Sequence, residues 1–446
     1  MYKNKYFGTD GIRGLVGGSL INIEFAFRLG FAAGLVFADR YNNCNKAVII
    51  TRDTRSSSSM LESAIQTGFL ASGVDVFIAD SYPMPTSSAS FLVKSLNVLA
   101  GVVVSASHNP YHYNGFKFFS HDGFKLSEEV EIEIERRIDE CKLDISYANK
   151  FGQSRLLKTS VNQYIRFCQD SFPDNLSLRG LRIVVDAANG SAYKIAPTVF
   201  KNLGAEVYSI GVDPDGFNIN DGVGSLSTEL LSDTVVKNKA DLGIALDGDS
   251  DRVKILDSKG TEFAGDELLY VIIKDRLLFN RVEGVVGTCM TNYGFELQMR
   301  KLGIGFDRAN VGDRSVTEQL NKRGWLYGGE NSGHIVCLDY HTTGDGIIAA
   351  LQVLAAIVRS QENLSSILSD LHMYSQKIIN IPWDTTLSWE DNNSLKSIFE
   401  VVKKELDGRG RILIRKSGTE PVLRVMVEAE QMVLVEESIS KIISCI

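Results

Sequence analysis

No stretch of this chain reaches the roughly 18 uninterrupted apolar residues that a membrane-spanning helix needs, so no span and no membrane partner are expected. Cysteine is sparse. The six residues Cys44, Cys141, Cys168, Cys289, Cys337 and Cys445 form no CxxC pair and no zinc spacing. Such scatter in a long chain suits a reducing compartment. The start, Met1 to Gly8, has no apolar core of the signal-peptide kind, so a cytoplasmic protein is expected. Basic charge is not in excess: 47 Lys and Arg stand against 55 Asp and Glu, a formal net charge of -8. That balance argues against a nucleic-acid partner. There is no Gly-Lys dipeptide, hence no GxxxxGK[ST] loop, and no GxGxxG opening a helix after a strand. Neither ATP nor a dinucleotide is indicated. No GxSxG elbow is present, which weakens a Ser-His-Asp hydrolase reading.

What is present is 446 residues of ordinary globular composition, 44% hydrophobic and 23% charged. Short apolar runs alternate with amphipathic segments. Strands are expected at 48–51, 74–79 and 98–104, with helices at 22–40, 57–71 and 86–95 between them. The pattern returns at 181–246 and again at 266–359, which implies βαβ units and mostly parallel sheets. Beyond about 370 it changes to strands at 375–381, 411–415 and 423–428 with helices at 394–406 and 436–443, a smaller α+β unit. Boundaries are expected near 152, 254 and 370, giving units 1–152, 153–254, 255–370 and 371–446 that pack without a low-complexity linker.

Four stretches carry chemistry. Gly101-Val-Val-Val-Ser-Ala-Ser-His-Asn-Pro110 is a buried strand running into hydroxyls, an imidazole and an amide, with Lys117 close behind. Function in α/β folds concentrates at such strand ends, although Ser and Asn are also ordinary turn formers. Asp247, Asp249 and Asp251 alternate after a second strand, so an extended backbone turns three hard oxygens to one side, as Mg²⁺ or Ca²⁺ requires. An EF-hand loop fails here, because Arg252 and Ser258 stand where Gly and Glu are needed. Magnesium is favoured, since a few carboxylates and a phosphate oxygen satisfy it. Gly328-Gly-Glu-Asn-Ser-Gly-His334 offers a carboxylate, an amide, a hydroxyl and an imidazole to sugar hydroxyls, or forms a polar turn held by glycines. Arg415-Lys-Ser-Gly-Thr-Glu-Pro-Val-Leu-Arg424 gathers the Arg forks and hydroxyls that a phosphate needs. Together they point to chemistry on a phosphorylated polyol in a cleft shared by all units.

These stretches resemble the α-D-phosphohexomutase superfamily, over essentially the whole chain and in the expected order. Tyr6-Phe-Gly-Thr-Asp-Gly-Ile-Arg-Gly14, Asn218-Ile-Asn220, Val311-Gly-Asp-Arg314 and Thr342-Thr-Gly-Asp-Gly346 point to its glucosamine branch. Two departures stand out: Ser250 where Gly is usual, and Ser315 where an aromatic is common. The resemblance implies an α/β fold: three similar α/β domains with mixed sheets, and a C-terminal α+β domain of the TATA-box-binding-protein-like type, around a central cleft. It implies exchange of glucosamine 6-phosphate and glucosamine 1-phosphate, supplying UDP-N-acetylglucosamine synthesis. Glucosamine 1,6-bisphosphate, or glucose 1,6-bisphosphate as activator, is the implied intermediate. Phosphomannomutase, phosphoglucomutase or sugar phosphatase activity is the alternative.

By the same resemblance, Ser107 carries the phosphoryl group. One Mg²⁺ per subunit is held by Asp247, Asp249, Asp251 and the Ser107 phosphate. Lys117 serves as acid and base with Arg13 nearby and His108 in support. To take a proton, Lys117 needs a pKa depressed by neighbouring cations or desolvation. Arg252, Arg314, Glu330, Ser332 and His334 bind the sugar phosphate. Arg415, Ser417, Gly418, Thr419 and Arg424 hold the phosphate that is not reacting. Arg52 and Arg55 are expected to offset charge at the metal. A monomer or homodimer acting on a small phosphosugar is expected.

Overall fold

The computed structural model describes residues 5–41, 43–80, 82–140, 151–384, 387–416 and 421–444. Among the described residues, four sheets follow one another along the chain. The first is built on Val98–Val104, whose residues are all buried. It pairs in parallel with Asn45–Arg52, which continues in parallel to Asp75–Ala79 and Ser154–Leu157. On its other side Tyr113–Ser120 returns antiparallel and pairs in turn with Ile12–Leu15. Such a strand, buried on both faces, is a continuous apolar run rather than an alternating one. Helix Thr86–Leu96 covers it so closely that a Cβ at Gly101 would lie 2.8 Å from Val93 Cγ2.

The second sheet repeats the scheme. Arg182–Asp186 pairs in parallel with Glu206–Ile210 and Leu242–Leu246, and Val253–Asp257 returns antiparallel beside Leu242–Leu246. In the third, Gly284–Thr288 is flanked in parallel by Gly305–Ala309 and Tyr327–Gly329, and Ile335–Cys337 returns antiparallel. The last sheet is wholly antiparallel. Val422–Ala429 lies between Gly410–Lys416 and Ser375–Pro382, the three strands expected there.

Each unit thus sends a strand out to a loop and brings it straight back. The mostly parallel sheets expected from the alternation are mixed, because these return strands run against their partners.

The first three units share one core, in which Ile49, Leu92, Tyr164, Ile183, Ile244, Leu268 and Leu351 are all buried. Helix Gly346–Ser360 lies at its centre, buried along most of its length. Its N-cap Asp345 binds the N–H groups of Ile347 and Ile348 and also accepts the Tyr164 hydroxyl at 2.6 Å, tying the second unit to the third. The C-terminal unit has a separate core around Leu395, Phe399, Val402, Val425, Val435 and Ile439. It is fastened to the third unit by Arg411, which donates to the carbonyls of Cys289 and Thr291 at 2.8 and 2.7 Å.

Candidate active site

The return strands bring the loops together. Ser107 begins the turn between Val98–Val104 and Tyr113–Ser120; it is fully buried and has a left-handed backbone, φ 53°. Its hydroxyl donates to Asp247 Oδ2 at 2.6 Å and lies 3.2 Å from His108 Nδ1. Asp247 opens the turn between Leu242–Leu246 and Val253–Asp257, and Asp249 and Asp251 follow on the same turn. One oxygen from each of the three lies within 4.8 Å of the others.

Lys117, on the return strand opposite Val103, inserts its buried ammonium among the carboxylates. It donates to Asp249 Oδ2 at 2.7 Å and Asp251 Oδ2 at 3.0 Å, and stands 3.2 Å from Asp10. Thr86 also donates to Asp249 Oδ2, at 2.6 Å. The Oδ2 atoms are therefore engaged, whereas Asp249 Oδ1 and Asp251 Oδ1 are buried without a hydrogen-bond donor. Two orphaned carboxylate oxygens beside a third carboxylate fit a hard divalent cation. Ser250, where glycine is usual, has φ 63°, a conformation glycine adopts without strain.

The charges shift one another. Burial pushes Asp247 well above the ordinary carboxylate value, with Asp249 and Asp251 adding to it. Burial and the nearby Arg252 and Arg13 hold the His108 imidazole down to about 4. Burial pulls Lys117 down, but Asp10, Asp249 and Asp251 outweigh it and raise the group well above its usual range. The shift is upward, opposite to the depression that a base requires. Arg52 and Arg55 do not offset the metal site either. Arg52 pairs with Glu62 at 3.1 Å, and Arg55 is turned to Asp53 and to the carbonyls of Ser107, Asn109 and Pro110.

A cavity of about 320 Å³ opens beside the triad. Its walls include Arg13, His108, Asp251, Arg252, Glu330, Ser332 and His334. Glu330 stands at the tip of the hairpin formed by Tyr327–Gly329 and Ile335–Cys337, where its Oε1 accepts the Gly312 N–H at 2.9 Å. Ser332 Oγ is buried without a partner, as a hydroxyl reserved for a ligand would be. His334 lies 3.8 Å from Asp251 and 3.7 Å from Asp313; burial lowers its pKa, but Asp251 chiefly raises it above the ordinary value. Arg314 is not brought into this cavity. Its guanidinium is bound by Glu131 and lines a separate recess with Phe124 and Thr317.

A second cavity, of about 200 Å³, lies on the C-terminal sheet between Arg415, Arg424, Asn380, Ile378, Leu413 and Met426. Arg415 and Arg424 are direct cross-strand partners. Both line the cavity, where forked guanidinium donors suit a phosphate. Met290 lines both cavities, so the two adjoin. Ser417, Gly418 and Thr419 lie outside the described residues.

Three participants escaped the sequence reading. Asp10 accepts from Arg13 and Lys125, and Lys125 also pairs with Asp313. Asp10 and Asp313 stand within singled-out motifs, Gly8–Gly14 and Val311–Arg314, and could have been found there. Lys125 has no local signal.

Comparison with known proteins agrees with this geometry. The phosphoglucomutase/phosphomannomutase alpha/beta/alpha domains I, II and III match residues 4–144, 162–260 and 264–374, and the family's C-terminal domain matches 379–442. Curated relatives named phosphoglucosamine mutase include one from Bordetella petrii, 53% identical over 99% of both chains. Another, from Burkholderia vietnamiensis, is 51% identical over 96% of this chain and 95% of the relative. Among solved structures, a phosphoglucomutase/phosphomannomutase family protein from Burkholderia thailandensis superposes with a TM-score of 0.82 at 23% identity, covering 100% of this chain and 97% of that one. An N-acetylphosphoglucosamine mutase from Aspergillus fumigatus, in complex with GlcNAc-6P and magnesium, gives 0.67 at 15% identity, over 99% and 95%.

Proposed function

Because this chain belongs to the phosphoglucosamine mutases of the phosphoglucomutase/phosphomannomutase family, within the α-D-phosphohexomutase superfamily, we propose that it interconverts glucosamine 6-phosphate and glucosamine 1-phosphate. The observation that carries the reading is the Ser107 hydroxyl, 2.6 Å from Asp247 at the head of a buried carboxylate triad and beside the Glu330 cavity.

Ser107 is the phosphoryl carrier. The free hydroxyl of the bound monophosphate attacks the phosphorus of phospho-Ser107. A new P–O bond forms to the sugar as the bond to Ser107 Oγ breaks, which gives a 1,6-bisphosphate. The bisphosphate turns over, and its other phosphoryl group returns to Ser107. Such transfers demand positioning and charge neutralisation more than covalent assistance. Asp247, Asp249 and Asp251 would hold Mg²⁺, which when bound supplies charge neutralisation at the phosphoryl oxygens.

The chain's own residues do the rest. Lys117 and Arg252 are fixed cations beside the transferring group. His108, neutral near pH 7, places Nδ1 3.2 Å from Ser107 Oγ, within reach of a proton moving on or off that oxygen. Glu330 and Ser332 accept and donate to sugar hydroxyls in either orientation. Arg415 and Arg424 hold the distal phosphate across the joined cavities.

The substrate is tested by a coupled assay with the phosphates of glucosamine, glucose and mannose in parallel, where glucosamine phosphate is expected to give the highest kcat/KM. Ser107→Ala is expected to fold and to lose turnover. Wild-type mutase activity in that variant would overturn the assignment of the carrier.

A further inference from the structure

Asn220 is left without a task by the reaction just described, yet its side chain reaches the carrier serine from another unit. Its Nδ2 donates to the carbonyl of Ser107 at 3.0 Å and to that of Asn109 at 3.2 Å. Arg55 Nη2 donates to the same two carbonyls, at 2.9 and 2.8 Å. Each carbonyl has two lone pairs, and here both are taken by the same two nitrogens. Arg55 belongs to the first unit and is oriented by Asp53, whose carboxylate also accepts Ser105 Oγ at 2.6 Å. Ser105 Oγ in turn receives the Ser107 N–H at 3.0 Å. Asn220 belongs to the second unit, like the Asp triad. Its backbone N–H is bound to Ala188 O at 2.9 Å, and its φ of 59° is left-handed.

We infer that Asn220 is a positioning residue for phosphoryl transfer, one that registers the Ser107 turn of the first unit against the metal-binding turn of the second; the inference rests on the proposed role of Ser107. A left-handed serine is strained and needs an external hold. Arg55 supplies that hold within the unit, but it cannot fix Ser107 relative to Asp247, which stands on a different sheet. Asn220 can, because it leaves the same sheet system as Asp247. The fit is close: a Cβ on Gly248, next to Asp247, would lie 2.6 Å from Ser107 O and 2.8 Å from Asn220 Nδ2. Ser107 must surrender the phosphoryl group once and accept one back once in each turnover, both along one line. A turn that can rock loses that alignment in both directions, while the groups that bind the sugar and the distal phosphate stay as they were.

The test compares wild type with Asn220→Gly, which keeps the left-handed backbone and removes the donor, and with Asn220→Asp, which keeps the shape and removes the donor. Phosphoenzyme is prepared with glucose 1,6-bisphosphate, and its discharge by glucosamine 6-phosphate is followed in a single turnover. Both variants are expected to discharge phospho-Ser107 at least about tenfold more slowly, a loss typical of displaced reacting groups, with KM for the monophosphate within about twofold of wild type. Discharge at the wild-type rate in folded Asn220→Gly overturns the inference, as does a fall confined to melting temperature. If wild-type enzyme carries no dischargeable phosphate on Ser107, the proposed carrier fails, a result distinct from either variant's behaviour.

Discussion

Single residues in this site are chosen by backbone angle as much as by chemistry. Ser250 stands between two metal-facing aspartates at φ 63°, and its hydroxyl reaches only its own turn, at Asp247 O. Ser250→Gly should therefore relieve about 1 kcal/mol of strain and raise the denaturation midpoint, with kcat preserved. Arg424 is a different case, since its work is done on a ligand. Arg424→Ala removes one of two facing guanidinium groups from the distal cavity. It should raise KM for the monophosphate roughly 10- to 100-fold, the cost of a charge-assisted contact, which steady-state kinetics reads directly. An unchanged KM would mean that the distal phosphate is held elsewhere.

At the scale of elements, the recurring device is the return strand. All four candidate loops join antiparallel neighbours: 98–104 with 113–120, 242–246 with 253–257, 327–329 with 335–337, and 410–416 with 422–429. Three of the outgoing strands were legible in the sequence because they are short apolar runs ended by polar turns, and so were the returns 335–337 and 422–429. The short outgoing strand 327–329 and the returns 113–120 and 253–257 were not. Tyr113–Ser120 interrupts its apolar residues with Asn114, Gly115 and Lys117; Asn114 is buried against Ser57 and Ser58, and Lys117 against the aspartates. A strand that carries catalytic polarity inward breaks the period by which strands are read. For the same reason the Asp triad and the Arg415 loop could be found from local spacing, whereas Lys125 and Asn220 act across units and leave no periodic trace.

Helix packing gives a prediction at this scale. Helices Ile23–Arg40 and Ser58–Ala71 touch backbone to backbone at Gly30 and Gly68; a Cβ at Gly68 would lie 2.2 Å from Phe27 O. Gly to Ala in a helix normally stabilises by up to about 1 kcal/mol. Here Gly68→Ala should instead destabilise by about 1–3 kcal/mol, as overpacked cores do, measured by urea unfolding.

The whole molecule comprises a fused body of three units and a fourth with its own core. Their joint is polar, with Arg411 donating to the carbonyls of Cys289 and Thr291. Asp266, on helix Gly265–Arg276, is raised to about 7 by burial, against the N–H of Asn292 and with the buried Glu428 of the C-terminal sheet adding to the rise. The folded chain therefore keeps a proton that the unfolded chain releases from an ordinary value of 3.8 upward. Between that value and about 7, stability from this group falls as pH rises. Asp266→Asn, neutral at every pH and still able to accept from Asn292, should match wild type below about pH 3.8 and melt at an increasingly higher temperature as pH rises to 8. Equal melting temperatures at both pH values would place the charge elsewhere.

The left-handed turn at Ser107 has one more consequence. Serine and threonine are equally capable of forming a phosphate ester, and a nucleophile chosen for reactivity alone could be either. At φ 53° a β-branched side chain collides with its own backbone. Threonine is thus shut out by a torsion angle, and tyrosine by its length in a turn where the hydroxyl lies 2.6 Å from Asp247. Of the three hydroxyl side chains, this backbone admits one.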